Sequence, residues 1–468
     1  MRNKPLSKST LCISLLMLVC TLLPQRAVGQ PAVNYAQTQL GTIPANRYSV
    51  IRSVAGGTMA VASMNHAGHA SVYLIDPTYT MIIYHADLED NLFIYDMRVV
   101  NSTVYFCGSY KGEGCIGFFD YHDLLAAAPL NIQLKTINFQ IHCSSTLYRM
   151  AAYANGTGEK VVAVGECRYD HNDSDGSSEF PDCWSTVDTN YLCMRRVVVE
   201  ADFPAFSIQC ISSEVVAPYD YMQEVVETDN YVAIIGFYRA GGGISIHKCS
   251  KSNVLNTYPY NWYYYPLATN ECSSKIKGCR MGKDTIAIVS MAPEIIYEGS
   301  PIFGSVVRMF DLSTMANINA QLVITEHKDE PRDILYVPGQ DSLILLHDIY
   351  FPSHGSAFNC FISLDPNSPG GYPASCWYNA ALNYNSLDIA TPNQYIASGG
   401  EFWCIKDAST LINPNNCYRT ETIAVKPIDR LNGTYNTGLL SFLFITPVPI
   451  PPSSQTYYEP IANPCVTP

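Results

Sequence analysis

The sequence predicts an all-β chain folded as a seven-bladed β-propeller of four-stranded antiparallel blades, with disulfides. Three observations predict it. A strand-rich unit recurs seven times. A charged residue recurs at one place in the first strand of each unit, and cysteines recur in the last two strands of four units. Composition points the same way. Charged residues are 15% of the 468, against roughly 25% in an ordinary soluble domain. The 33 Tyr, 29 Gly and 29 Pro suit strands and turns better than helices.

Each unit reads as strands a to d. The b strands are short apolar runs of the kind buried on both faces: Met59–Met64, Val104–Ser109, Val161–Glu166, Tyr231–Gly236, Thr285–Ser290, Ser342–His347 and Gln394–Gly399. A turn and a c strand follow. Ala70–Asp76, Gly114–Asp120, Gly304–Asp311 and Gly355–Asp365 open after a small residue and close on Asp. A short carboxylate there can bond the backbone two residues on. The a strands carry the charged mark: Arg52, Arg98, Arg149, Glu224, Arg280, Asp333 and Asp388. The successive gaps are 46, 51, 75, 56, 53 and 55 residues, the spacing of propeller blades. The long gap holds a polar, acidic insertion at about residues 168–190, between strands b and c of the third unit.

The first 29 residues read as an export signal: Arg2, Lys4 and Lys8, then an apolar core from Leu11 to Leu23, then Ala27-Val28-Gly29 before the cleavage point. The apolar core is shorter than the roughly 20 residues that span a bilayer, and no later segment is long enough either. The expected location is secreted, periplasmic or cell-surface. The chain divides as signal 1–29, propeller 30–432, and a closing strand with a Pro-rich, extended or disordered tail at 433–468. Two segments compete for the closing strand, Asn34–Thr42 and Gly438–Thr446.

Of the 17 cysteines, Cys12 and Cys20 lie in the signal; the rest are expected to be largely paired, and their odd number leaves at least one over. Four units place one in strand c and one in or beside d: Cys193 with Cys210, Cys249 with Cys272, Cys360 with Cys376, Cys404 with Cys417. Cys107 and Cys115 read as a hairpin pair, and Cys167 with Cys183 as closing the insertion. Cys143, Cys279 and Cys465 have no assigned partner.

The pattern resembles secreted seven-bladed β-propellers in general, over roughly residues 34–432. The Trp-Asp dipeptides of WD40 repeats and the Gly-Gly and Tyr spacing of kelch repeats are absent.

No Gly-x-Ser-x-Gly elbow and no His-Glu-x-x-His motif occurs. The candidate site is the charged ring. Strand a is innermost in a propeller, so the seven charged residues are expected around the central channel. They either tie neighbouring blades together, Glu224 to Arg149 and Arg280 and Asp388 to Arg52, or form a polar mouth. Arg52, Arg98 and Arg149 lack an acidic neighbour at that register, which makes them the arc most open to an anion, with Asp96 as a partial neutraliser.

Other features read as structural first. His66-Ala-Gly-His69 is a turn with metal-like spacing but no further ligand. Asp170–Gly176 resembles a calcium loop imperfectly, and it is the one place where a cofactor is entertained. Tyr258–Pro266 is an aromatic run for strand packing or sugar stacking. The net charge of −13 argues against nucleic acid and anionic membranes as partners. The expected function is a monomeric, non-catalytic binding protein for an extracellular glycan or polypeptide. The alternative is a glycan hydrolase or lyase that uses ring carboxylates, for example Glu224 with Asp333 or Asp388.

Overall fold

The computed structural model describes residues 35–39, 48–54, 57, 59–65, 68–76, 82–126, 130–137, 143–156, 158–169, 193–213, 221–238, 243–258, 262–266, 276–297, 300–325, 329–351, 356–368, 374–379, 384–399, 402–407, 419–430, 433–436 and 447–449. Strand β1 (Tyr35–Gln39) stands first. Then come β2 (Ser49–Val54), β3 (Met59–Asn65), β4 (Ala70–Ile75) and β5 (Ile82–Asp87). Next are β6 (Leu92–Val100), β7 (Thr103–Tyr110), β8 (Glu113–Asp120), the short helix α1 (Tyr121–Leu125) and β9 (Gln133–Ile137). The third run is β10 (Cys143–Asn155), β11 (Gly158–Tyr169), β12 (Cys193–Phe203) and β13 (Ser207–Ser213). The fourth is β14 (Tyr221–Glu227), β15 (Tyr231–Tyr238), β16 (Gly243–Ser250), α2 (Val254–Thr257) and β17 (Trp262–Pro266). The fifth is β18 (Ile276–Arg280), β19 (Thr285–Tyr297), β20 (Ser300–Asp311) and β21 (Ala316–Ile324). Then follow β22 (Asp329–Val337), β23 (Ser342–Phe351), β24 (Ser356–Leu364) and β25 (Ala374–Asn379), and after them β26 (Tyr384–Thr391), β27 (Gln394–Gly399) and β28 (Phe402–Asp407). The C-terminal strands are β29 (Arg419–Pro427), β30 (Thr434–Asn436) and β31 (Pro447–Pro449).

Every pairing is antiparallel, and within the seven runs it joins chain neighbours, as hairpin connections dictate. Local turn chemistry supports them. Lys111 and Gly112 sit at φ 52° and 84°, the two successive left-handed residues that a tight β7–β8 hairpin needs. The aspartates that close the c strands bond the backbone two residues on, Asp120 to His122 N and Asp311 to Ser313 N.

The first strands of the runs, β2, β6, β10, β14, β18, β22 and β26, lie against one another in a closed circle, each touching the next and β26 touching β2. The sheets radiate from them. Each sheet is buried on both faces by its neighbours, which explains why the b strands show no polar–apolar alternation. In β3, Val61 packs toward the second sheet while Ala60 and Ala62 pack toward β26–β27. This is a β-propeller. Among the described residues no helix is long and apolar enough to cross a membrane.

The expectation of seven separate sheets is corrected. The hydrogen bonds gather the strands into six sheets, because β18–β21 and β22–β25 are joined into one nine-stranded sheet. The joint is β29. One half of it pairs with β21 (Ile324 with Ala424) and the other with β25 (Ala374 with Ile423). β30 and β31 likewise add to the outer strands β17 and β9. An outermost strand carries a row of unpaired backbone groups, and the C-terminal stretch covers four such edges. The last sheet is completed by β1, which pairs with β28 from Tyr35–Lys406 to Gln39–Phe402. Of the two candidate closing segments, Asn34–Thr42 is described at Tyr35–Gln39 and pairs here. Gly438–Thr446 lies outside the described residues.

The disulfide expectation is corrected most sharply. No disulfide forms among the described residues. Cys107 lies opposite Ile116, and Cys115 opposite Gly108, so the two are one residue out of register. Successive strand side chains face opposite ways. Cys107 packs toward the third sheet and Cys115 toward the first, both as free thiols. Cys210 lies opposite Val199, six residues along β12 from Cys193, a separation of roughly 20 Å at ~3.3 Å per residue. A disulfide needs roughly 7 Å or less between Cα atoms. Cys376 lies opposite Ile362, which puts it diagonally from Cys360. Cys249 is a free, fully buried thiol, and its expected partner Cys272 lies outside the described residues. Cys404 sits in β28 between β27 and β1, so β1 takes the place assigned to a strand carrying Cys417, which lies outside the described residues, as does Cys183. Cys107, Cys115, Cys167, Cys210, Cys249, Cys279 and Cys360 are buried free thiols that behave as small core hydrophobes.

Candidate functional site

Five of the seven inner strands skip one residue in their pairing with strand b. The skipped residues are Tyr95 in β6, Tyr148 in β10, Gln223 in β14, Arg332 in β22 and Asn385 in β26. These are β-bulges, which re-aim a side chain out of the pleat and recur beside binding sites. The local cause is visible in strand b. The residue paired just before the bulge faces Gly108, Gly165, Gly236 and Gly399 in four of the five. At Gly165 a Cβ would lie 1.9 Å from the Thr146 carbonyl oxygen, and at Gly108 1.8 Å from that of Phe93. Only glycine lets the bulged backbone come so close.

The bulges also split the expected charged ring. Arg149, Glu224 and Asp333 directly follow a bulge, whereas Arg98 and Asp388 lie two residues further along their strands. The seven do not share one register. Arg280 is exposed and leaves the ring altogether, pairing with Asp229 and Glu227. Two inner-strand charges outside the expected set bear directly on it. Asp96 follows the β6 bulge, and Lys277 lies near enough to Glu224 to act on its charge.

Asp96 is the hub. It is 0% exposed and accepts from Arg52 Nη2 at 2.5 Å, Arg98 Nη1 at 2.7 Å, Met97 N at 2.9 Å and Met150 N at 3.0 Å. Burial pushes its pKa up, but Arg98, Arg52, Arg149 and the Met150 amide outweigh this and hold it below the usual carboxylate range. Arg52 further donates to the carbonyls of Met97 and Leu387 and to Ser386 Oγ, spanning three inner strands. The arginine arc is therefore filled by the protein's own carboxylate, and the expectation that it stands open to an anion is corrected.

The remaining acids are also engaged. Asp333 accepts from Ile334 N and from Leu387 N of the next inner strand. Asp388 accepts from Ser53 N of β2 at 2.6 Å. Glu224 lies 3.5 Å from Arg149, and not against Arg280 as expected. Burial pushes Glu224 and Asp388 up despite Arg149 and Arg52 beside them. These charges tie blade to blade.

Beside them lies a feature that sequence reasoning missed. Tyr95 of β6 touches Tyr48, which directly precedes β2, and Tyr148 of β10, with ring centroids 5.8 Å and 5.6 Å apart. The charges acting on Tyr48 belong to Arg149, Asp96, Asp333 and Arg52, which places its hydroxyl inside the circle, and burial pushes that hydroxyl up to about 12. Tyr48 Oη accepts from Arg149 at 2.8 Å, and Tyr148 Oη donates to Glu166 at 2.6 Å. All three rings are half-buried. Arg332 acts on Tyr48 from β22 and is held by Asp348 at 2.6 Å and Glu330 at 3.4 Å. The three tyrosines thus form an arc beside the ion-paired Arg332. The Gly that ends the b strands was the available signal for it.

The described residues of the other candidates make structural contacts. His69 and His85 sit 3.8 Å and 3.0 Å from Asp87, and no metal-holding group of three side chains occurs among the described residues. His66 and Asp170–Gly176 lie outside the described residues. In the aromatic run, Tyr265 is buried and donates to Met315 O, while Tyr258 stacks on the buried His247.

No family model and no curated protein matches this chain. Among solved structures it is similar to the Neurospora crassa Pan2 WD40 domain, at 9% identity and TM-score 0.40, covering 78% of this chain and 90% of that one. The WD40 domain of SCAP from fission yeast matches at 7% identity and TM-score 0.39, covering 81% and 99%. The tricorn protease matches at 10% identity and TM-score 0.27, covering 69% of this chain and 34% of that chain.

Proposed function

We propose that this chain is an exported, non-catalytic binding protein that takes a glycan or polypeptide at the tyrosine arc of the channel mouth. The nine-stranded sheet is read as two blades latched by β29, which makes seven in all. The observation that carries the reading is the contact of Tyr95 with Tyr48 and Tyr148, beside charges that are consumed internally. Tyrosine offers large, rigid contact area at little entropic cost. The ring acids support binding over hydrolysis, because Asp96, Asp333, Asp388 and Glu224 all hold neighbouring strands or arginines. Export rests on the N-terminal sequence.

The test is a screen of the mature chain, residues 30–468, against glycan and peptide arrays, repeated with Tyr95→Ala. Hits that disappear in the variant, with an unchanged melting curve, support the reading. Hits indifferent to Tyr95→Ala, or release of products from a bound glycan, overturn it.

A further inference from the structure

We infer that the ligand of the tyrosine arc is an uncharged saccharide. This rests on the binding reading above and deepens it.

Among the described residues the inner-strand charges are already engaged, and Lys277 acts on Glu224. An anionic ligand needs a cation free to meet it. Arg52 and Arg98 are spent on Asp96, Arg149 on Glu224 and Tyr48, and Arg332 on Asp348 and Glu330. Freeing Arg52 would strand a fully buried carboxylate, which costs more than a surface contact returns. A cationic ligand meets the converse obstacle. Asp348 is held by Arg332 and Asn359, and Glu166 by Tyr148.

A hydroxyl does not face this choice. It donates and accepts at once, so it bridges the Arg332–Asp348 pair without displacing either partner. A saccharide presents hydroxyls around its edge and C–H groups on its faces. The tyrosine rings match the second requirement. Tyr48 and Tyr148 are fixed through their hydroxyls, so their half-buried faces stand ready-oriented. Pre-orientation lowers the ordering cost of binding. The rings are tilted by 53° and 67° to one another at 5.8 Å and 5.6 Å, so a sugar ring can rest on one ring and touch the edge of the next.

The experiment titrates the mature chain calorimetrically with probes matched for size. Neutral probes are cellohexaose, maltohexaose and N-acetylchitohexaose. Charged probes are oligogalacturonate, a heparin hexasaccharide and the deacetylated chitosan hexamer, which differs from N-acetylchitohexaose chiefly in charge. A proline-rich decapeptide completes the set. The expected result is binding of at least one neutral probe. It should weaken about tenfold or more in Tyr95→Ala and stay within about threefold in Tyr95→Phe, and added salt should change it little. Tyr95-dependent binding of a charged probe tighter than that of every neutral one, or of the peptide alone, overturns the saccharide inference and leaves the mouth reading standing. No Tyr95-dependent binding of any probe overturns both.

Discussion

Replacing Asp96 by Asn tests the idea that one buried carboxylate holds three inner strands together. Asn keeps the volume, and its carbonyl oxygen can still accept from Met97 or Met150. What it loses is the charge that balances Arg52, which is 6% exposed. Arg98 is the lesser loss, because its side chain is 30% exposed and can turn to water. Breaking a buried ion pair from one side costs about 3–5 kcal/mol. With one partner half-free, Asp96→Asn should cost about 3 kcal/mol in equilibrium urea unfolding. The double variant Arg52→Met with Asp96→Asn should lose less than the two singles together, since it removes the orphaned charge. Asp388→Asn, whose parent carboxylate accepts from Ser53 N and is pushed up by burial, should cost about 1 kcal/mol or less. The pH dependence has a definite sign. The folded pKa of Asp96 lies below the unfolded value, so its contribution is present at neutral pH and fades as pH falls below about 4. Asp96→Asn should flatten that acid limb. A cost below about 1 kcal/mol, or no larger than that of Asp388→Asn, would refute the hub.

Further outcomes follow from the same geometry. Gly165→Ala should destabilise by about 1–3 kcal/mol in thermal melts and weaken any Tyr95-dependent ligand, because its Cβ meets the Thr146 oxygen at 1.9 Å. An unchanged melt would show that the bulge does not need glycine. Peptide mapping without reduction should recover Cys107 and Cys115 unlinked, and iodoacetamide should label them only after unfolding, since burial pushes both thiols up. A Cys107–Cys115 cross-link would contradict the register of β7 with β8. Burial pulls His247 down to about 3, so it stays neutral when folded and stability falls as pH drops from the unfolded value near 6.5. His247→Phe should therefore lose about 2 kcal/mol less than the wild type between pH 7 and pH 5. Equal losses would show that His247 titrates normally.

Much of the architecture was legible in the chain. The seven b strands are apolar on both faces because each is covered by two neighbouring sheets, so their run-like pattern marks them without ambiguity. The Asp at the end of the c strands marked turns for a local reason, a bond to the backbone two residues away. The disulfides were misread because spacing along two strands says nothing of register. Cys107 and Cys115 stand close in the hairpin, yet they face different interfaces by a single residue of offset. The closing strand was undecided for a similar reason. Pairing of β1 with β28 joins residues nearly four hundred positions apart, and no local pattern encodes a partner at that distance.

The candidate site shows the same division. The sequence by itself determined that a charged residue recurs in each inner strand. It also determined where the glycines end the b strands. Only the tertiary structure decided which charges meet. The bulges at Tyr95, Tyr148, Gln223, Arg332 and Asn385 shift the register within each inner strand, so residues read as one ring lie at two depths, and Asp96 falls between two arginines. A one-residue slip turns a strand's side chains to the other face, and that slip is set by backbone contacts with the strand beside it.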